Sequence, residues 1–210
     1  MENNKQSNST VAVQAKGRKH PHLFTFSLVM LLAWGIGTFP FIYFSPHFMY
    51  NLFQRAIVQN GLGGGPIPVN TLYAVPNLAS PSMTGSKLLT TGANHDTLYI
   101  GGWLDLSKSP QLLNVPDMAG RYYSVQFTDP SDGTDFAYVG KRTTGTAAGD
   151  YLITGPDWKG SVPQGMQQIS SPNNSVLVIG RVLVESDSDL PTAYGLAKQI
   201  QLMPLSGSIQ

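Results

Sequence analysis

RYYSVQFT, the stretch from Arg121 to Thr128, alternates strictly: Tyr123, Val125 and Phe127 fall on one side, Tyr122, Ser124 and Gln126 on the other. Successive side chains of an extended chain point to opposite faces, so this period of two predicts a half-buried strand. Turn-forming clusters, Asp117–Gly120 and Asp129–Gly133, bound it on both sides. Working outward, Leu98–Leu106, Gln111–Val115, Phe136–Val139, Tyr151–Thr154, Met166–Ile169 and Ser175–Val184 are further short, turn-bounded runs. Val176-Leu177-Val178-Ile179 is apolar on both faces, as a central strand would be. Seven such segments, punctuated by 22 glycines and 15 prolines, fit a mainly β protein, an antiparallel β-sandwich of Ig-like or jelly-roll-like type. A short helix is expected at the end, over Leu190–Leu202, capped by Ser188 or Asp189 with Leu196 and Ile200 on one face.

The N-terminal part has a different composition. Leu23–Phe44 runs LFTFSLVMLLAWGIGTFPFIYF without a charge, 22 residues where about 20 suffice to cross the hydrocarbon core. Lys16, Arg18 and Lys19 precede it and the next basic residue is Arg55, so the positive-inside bias keeps the N-terminus cytoplasmic and the body periplasmic or extracellular. An uncleaved signal-anchor is the favoured reading. A cleavable signal peptide, with small residues Ala33, Gly35 and Gly37, competes with it. Pro40 is expected to kink the last turn. Residues 1–22, rich in Asn, Ser, Gln and Lys, read as a disordered basic tail. Residues 45–66 read as a juxtamembrane helix, with Phe48, Met49, Leu52, Phe53, Ala56 and Ile57 in a stripe and Asn60-Gly61 as the stop, followed by a Gly-rich linker. Pro66 stands where the last glycine of a dinucleotide loop would be needed, and the run follows a helix, so that motif is rejected. The sandwich is expected over residues 67–210.

Cysteine is absent, which removes disulfides and thiolate metal sites. Residues 1–22 carry Lys5, Lys16, Arg18 and Lys19 against Glu2, a net of +3, and the remainder holds 9 basic and 11 acidic residues, a net of −2. A weakly acidic body without a basic stripe excludes nucleic acid as the expected partner.

Several motifs recur in order over roughly residues 90–206. They are Asn94-x-Asp96-Thr97-Leu98-Tyr99, Trp103-x-Asp105-Leu106-Ser107, Val115-Pro116-Asp117, Gly120-Arg121-Tyr122-Tyr123 and Gly140-Lys141-Arg142-Thr143-Thr144-Gly145. Gly155-Pro156-x-Trp158-x-Gly160, Gly180-Arg181 and Leu202-x-Pro204-Leu205-Ser206 complete the set. Together they resemble the domain of unknown function family 1254. The resemblance implies a β-sandwich of bacterial envelope or exported proteins, followed in longer members by a second β-rich domain of family 1214. Gly92-Ala93 replace the usual proline before Asn94. The sequence stops at Gln210, shortly after the closing motif where longer members run on, so a separately encoded 1214-type protein is the expected partner of a lightly charged face, with self-association as the simpler alternative.

Asn94, Asp96 and Thr97 are the candidates for a ligand-binding polar pocket with Tyr99, Arg121 and Arg142, Asp96 and Arg121 lying in one cluster. Set against this, Asn94 and Asp96 close Asx turns and Asp96 pairs with an arginine. His95 alone builds no zinc site and reads as an exposed turn residue. Asp129-Pro130-Ser131-Asp132-Gly133-Thr134-Asp135 lacks the two-residue acidic spacing of a calcium loop and reads as a hairpin turn. Glu185, Asp187 and Asp189 read as a solvated strand end and helix cap. Gly140–Gly149 lacks the Walker order, but Arg142 offers a planar fork to an anionic ligand or to an internal acid. No Gly-x-Ser-x-Gly elbow is present. Neither metal nor cofactor is expected, and no catalytic set is named. The expectation is a membrane-anchored binding or assembly module, against an enzyme, for instance a hydrolase, whose site a 1214-type domain completes.

Overall fold

A computed structural model describes residues 21–62, 65–78 and 94–205, so residues 1–20 of the expected tail, Gly63-Gly64, Gly92-Ala93 and Ser206 of the closing motif lie outside the described residues, while Pro21 and His22 already belong to the first helix. The chain divides into two units, Met1–Tyr43 and Phe44–Gln210. A single helix, α1 (Pro21–Asn60), replaces the two expected before Gly61 and runs through Pro40. It is long and apolar enough to cross a membrane. From Leu23 to Phe44 every large apolar side chain is exposed, with no polar face along that stretch. The helix stops at Asn60, where Gly61 takes φ +69° and donates to the Ile57 carbonyl at 2.9 Å.

The body is two packed sheets. Strands β1 (Thr71–Ala74), β2 (Thr97–Asp105), β3 (Gln111–Val115), β4 (Tyr123–Thr128) and β5 (Asp135–Gly140) come first. β6 (Gly149–Thr154), β7 (Gln167–Ser170), β8 (Ser175–Leu183), α2 (Leu190–Gln199) and β9 (Gln201–Pro204) follow. One sheet is ordered β1-β2-β8-β4-β5 and the other β7-β6-β3-β9. β8 is indeed central, paired with β2 and β4 along its length. All seven expected strands form, and the sandwich stands with one departure from antiparallel pairing. β6 and β7 run parallel, joined by residues 155–166, a connection about the dozen residues long that parallel pairing needs.

Two further corrections concern edges. α2 ends at Gln199 rather than Leu202, because Ile200 turns extended (φ −74°, ψ 107°) and Gln201–Pro204 pairs with β3 as β9. Pro204 is tolerated there because β9 is an edge strand. β1, which was not expected, pairs with β2 on the opposite sheet's edge.

The core lies between the sheets. Leu98, Ile100 and Leu104 of β2, Val125 and Phe127 of β4, and Val176, Val178 and Val182 of β8 meet Leu113, Val115, Tyr151 and Ile153 of the second sheet. α2 adds Ala193 and Ala197, with Ile200 just beyond it. A second apolar cluster lies on the outer face of the five-stranded sheet, where Trp103, Leu177, Ile179, Tyr99 and Tyr73 pack with Tyr50, Phe53, Ile57 and Val58 of α1, and with Leu62 and Ile67. Gly101 makes this contact possible, since a Cβ there would come within 2.4 Å of Leu62 Cδ1.

Candidate functional site

The signature turn is a structural device. Asn94 Oδ1 accepts the Asp96 and Thr97 amides at 3.3 and 3.1 Å, and its Nδ2 donates to Thr97 Oγ1. Asn94 thus closes the Asx turn from which β2 starts. Asp96 contributes backbone: its carbonyl accepts the Val184 amide at 2.7 Å, while its side chain and that of His95 are exposed.

Arg121 is paired, but not with Asp96. Its Nη1 and Nη2 reach Asp189 Oδ2 and Oδ1 at 2.5 and 2.7 Å, and Nη1 also donates to the Leu183 carbonyl at 2.7 Å. Asp189 accepts the Glu185 amide as well, at 2.9 Å, so it makes no side-chain cap on α2 although it sits at the N-cap position. The fork clips the segment leaving β8 to the segment entering β4. The side chains are 12% and 16% exposed, enough shelter for the bidentate pair to dominate its surroundings. The Arg121 hydrogen bonds hold the Asp189 carboxyl down at about 2, helped by the Glu185 amide.

Of the other two predicted residues, Tyr99 lies on β2 and Arg142 in the turn that follows β5. Cross-strand register sets outer-face rows: Tyr99, Arg181, Ser124 and Gly140 form one, and Gly101, Ile179, Gln126 and Tyr138 the next. The Arg181 guanidinium lies over the Tyr99 ring, 5.6 Å from its centroid, and Arg142 lies 5.4 Å from the centroid of Tyr122. Ser124, Tyr138, Thr143 and both arginines line a cavity of about 350 Å³. A bulge at Phe127/Thr128 sets Asp135 opposite Thr128 at its border. The Asp135 carboxylate accepts from Gln126 Nε2 (2.8 Å), Thr128 Oγ1 (2.6 Å) and Tyr138 Oη (2.5 Å). The hydrogen bond to Asp135 first, then burial and the Asp135 charge, raise the Tyr138 phenol above its ordinary value, with Arg181 opposing. Arg181 Nη1 makes a long 3.4 Å contact with Gln126 Oε1.

So the structure separates the six predicted residues into a turn (Asn94, Asp96, Thr97), a clip (Arg121), the covered apolar face (Tyr99) and an outer-face groove (Arg142). Arg181, Tyr138 and Ser124 belong to the groove and were not singled out. The signal for Arg181 was present, as the one charge at an outward position of an otherwise apolar β8. In the Asp129–Asp135 loop, Asp129 and Asp132 accept the Ser131 and Thr134 amides at 2.8 Å each, the geometry of a plain hairpin turn. A second cavity, of about 400 Å³, lies between β1, α2 and β9. Its one cation, Lys198, is stacked on Tyr194 of the same helix, and few polar groups converge there.

The family model described as "Protein of unknown function (DUF1254)" matches residues 69–204. Among solved structures, the VPA0106 protein from Vibrio parahaemolyticus is similar with a TM-score of 0.61 and 28% identity, over 79% of this chain and 37% of that one. An uncharacterized protein from Burkholderia cenocepacia matches with a TM-score of 0.38 and 12% identity, over 65% and 34% of the two chains. No curated protein matches.

Proposed function

The chain belongs to the DUF1254 family of proteins of unknown function, and from that premise we propose that it is a membrane-anchored module that binds and assembles with a partner polypeptide. α1 holds it in the membrane of a bacterial envelope, N-terminus cytoplasmic, and the sandwich faces the periplasm or exterior. Lys16, Arg18 and Lys19 just before the apolar run support that orientation. The partner is a β-rich domain of the 1214 type supplied by another chain, with a second copy as the alternative occupant of the same role.

One observation carries the assembly reading: the matching sandwich accounts for 37% of the Vibrio chain, so a like sandwich occurs there as part of a longer polypeptide. The signature residues agree with a holding role. Asn94, Thr97 and Arg121 are engaged in a turn and a clip that keep strands in place. The full chain solubilised in mild detergent from its native membrane, after protease treatment of cells with a permeabilised outer layer, tests both halves. Untreated membranes are expected to return it with a 1214-type polypeptide or a second copy in fixed ratio. Treated ones are expected to return only the N-terminal part. Recovery of the lone chain as a strict monomer overturns assembly, and a protected body overturns the orientation.

A further inference from the structure

We propose that the groove on the outer face of β4, β5 and β8 is a binding site for a small dianion, a phosphate monoester or a dicarboxylate, held by the guanidinium forks of Arg181 and Arg142. The argument starts from a contrast among arginines. Arg121 has its carboxylate at 2.5 Å. Among the described residues no carboxylate lies within ion-pair distance of Arg181 or Arg142, although both line the same cavity of about 350 Å³. A guanidinium carries five N–H donors, and Arg181 spends one, on a 3.4 Å contact to Gln126. Placing a half-buried cation on a sheet face without a counter-charge is costly, and a bound anion removes that cost.

The neighbouring acid does not fill the role. Asp135 already accepts from Gln126, Thr128 and Tyr138, three of the about four lone-pair positions a carboxylate offers. That network fixes Gln126 and Tyr138 at the border of the groove. The guanidinium groups of Arg181 and Arg142 lie over the Tyr99 and Tyr122 rings, at 5.6 and 5.4 Å from the centroids, which restrains both forks before a ligand arrives. The Ser124 hydroxyl adds a neutral donor, while the Thr143 hydroxyl donates to the Tyr138 and Gly140 carbonyls of the chain's own turn. Two forks suit a group with two negative charges, which a phosphate monoester approaches at neutral pH, or one with two carboxylates. The volume is at the small end of ligand cavities, so the rest of the ligand is small.

The test is calorimetric titration of the full detergent-solubilised chain with inorganic phosphate and, separately, succinate, against chloride at equal ionic strength. Saturable binding of either is expected. Phosphate alone identifies a phosphate ester as the ligand class, succinate alone a dicarboxylate, and both the dianion in general. Arg181→Gln and Arg142→Gln should each weaken it at least about tenfold, as loss of a charged hydrogen-bonding pair does. Arg142 is exposed, so its variant keeps the fold, and melting curves check that Arg181→Gln does too. Absence of saturation with both anions, or undiminished binding in both variants, overturns the site.

Discussion

The outer face of the five-stranded sheet is two surfaces made by one rule. Both halves alternate with period two, and both contribute aromatic side chains outward. On β1 and β2 those are Tyr73, Tyr99 and Trp103, which together with Leu177 meet the Tyr50–Ile57 stretch of α1. On β4 and β5 the same positions carry Ser124, Gln126, Tyr138 and Asp135, and the face stays open as a groove. Gly133, at φ +79°, marks the border, because a Cβ there would lie 2.6 Å from the Tyr50 hydroxyl. The comparison teaches that the covered half acts through burial and the open half through unspent charge. Stability and binding should then respond to different substitutions.

The largest expected effect is in the covered half. Trp103 is 2% exposed and its indole N–H donates to Ser175 Oγ at 2.7 Å. Trp103→Ala removes the largest side chain of that cluster and should cost about 3–5 kcal/mol in urea denaturation of the detergent-solubilised chain. A cost under about 1 kcal/mol would mean that α1 does not seal this face, and the two halves would no longer differ in kind.

What was legible in the sequence follows the same division. Every strand of five or more residues was readable, as were the separate apolar helix and the four-residue β7, whose flanking turn residues set it off. β1 and β9 are four residues each, and Gln201–Pro204 was absorbed into the helical pattern before it. Arg142 read as a fork for either an anionic ligand or an internal acid, and among the described residues it has no carboxylate partner. The partner of Arg121 was not, because Asp189 is 68 positions away and motif proximity pointed to Asp96 instead. Register placed Arg181 beside Tyr99, and register across β2, β8 and β4 is a property of the sheet rather than of any one segment.

The clip at the end of the sheet should show the next largest effect, and it sharpens the contrast between a paired and an open arginine. Asp189→Asn and Arg121→Met should each lower the melting temperature, and the double variant should lose less than the two losses combined. The pH dependence has a definite sign. The folded Asp189 carboxyl, at about 2, lies below its ordinary value of 3.8. Its contribution is therefore complete above the ordinary value and is lost as pH falls through about 2. Wild type should exceed Asp189→Asn by a constant margin near neutrality, and the margin should shrink below about pH 4. A margin unchanged down to pH 2 would remove the carboxylate from the explanation. Arg142→Gln, tested in the same series, should leave the melting temperature nearly unmoved.

The smallest effect is expected from Tyr138→Phe, and it bears most directly on the open half. Tyr138 is 44% exposed, so its loss should change stability by no more than about 0.5 kcal/mol near neutral pH. Its hydroxyl proton is held by Asp135, which raises the phenol above the ordinary 10.0. A raised folded value means that the small contribution is complete below the ordinary value and is lost as pH rises through the folded one. Burial also raises Tyr50 and Tyr123, so ultraviolet titration should count one late-ionising tyrosine fewer in Tyr138→Phe than in the wild type. Removing Asp135 as Asp135→Asn should bring that ionisation back toward the ordinary range, because the group that held the proton no longer carries a charge. Superimposable titration curves for wild type and Tyr138→Phe would dissolve the network at the groove border. A stability loss as large as that of Trp103→Ala would instead make the open half structural, and the distinction between the two surfaces would fail from that side.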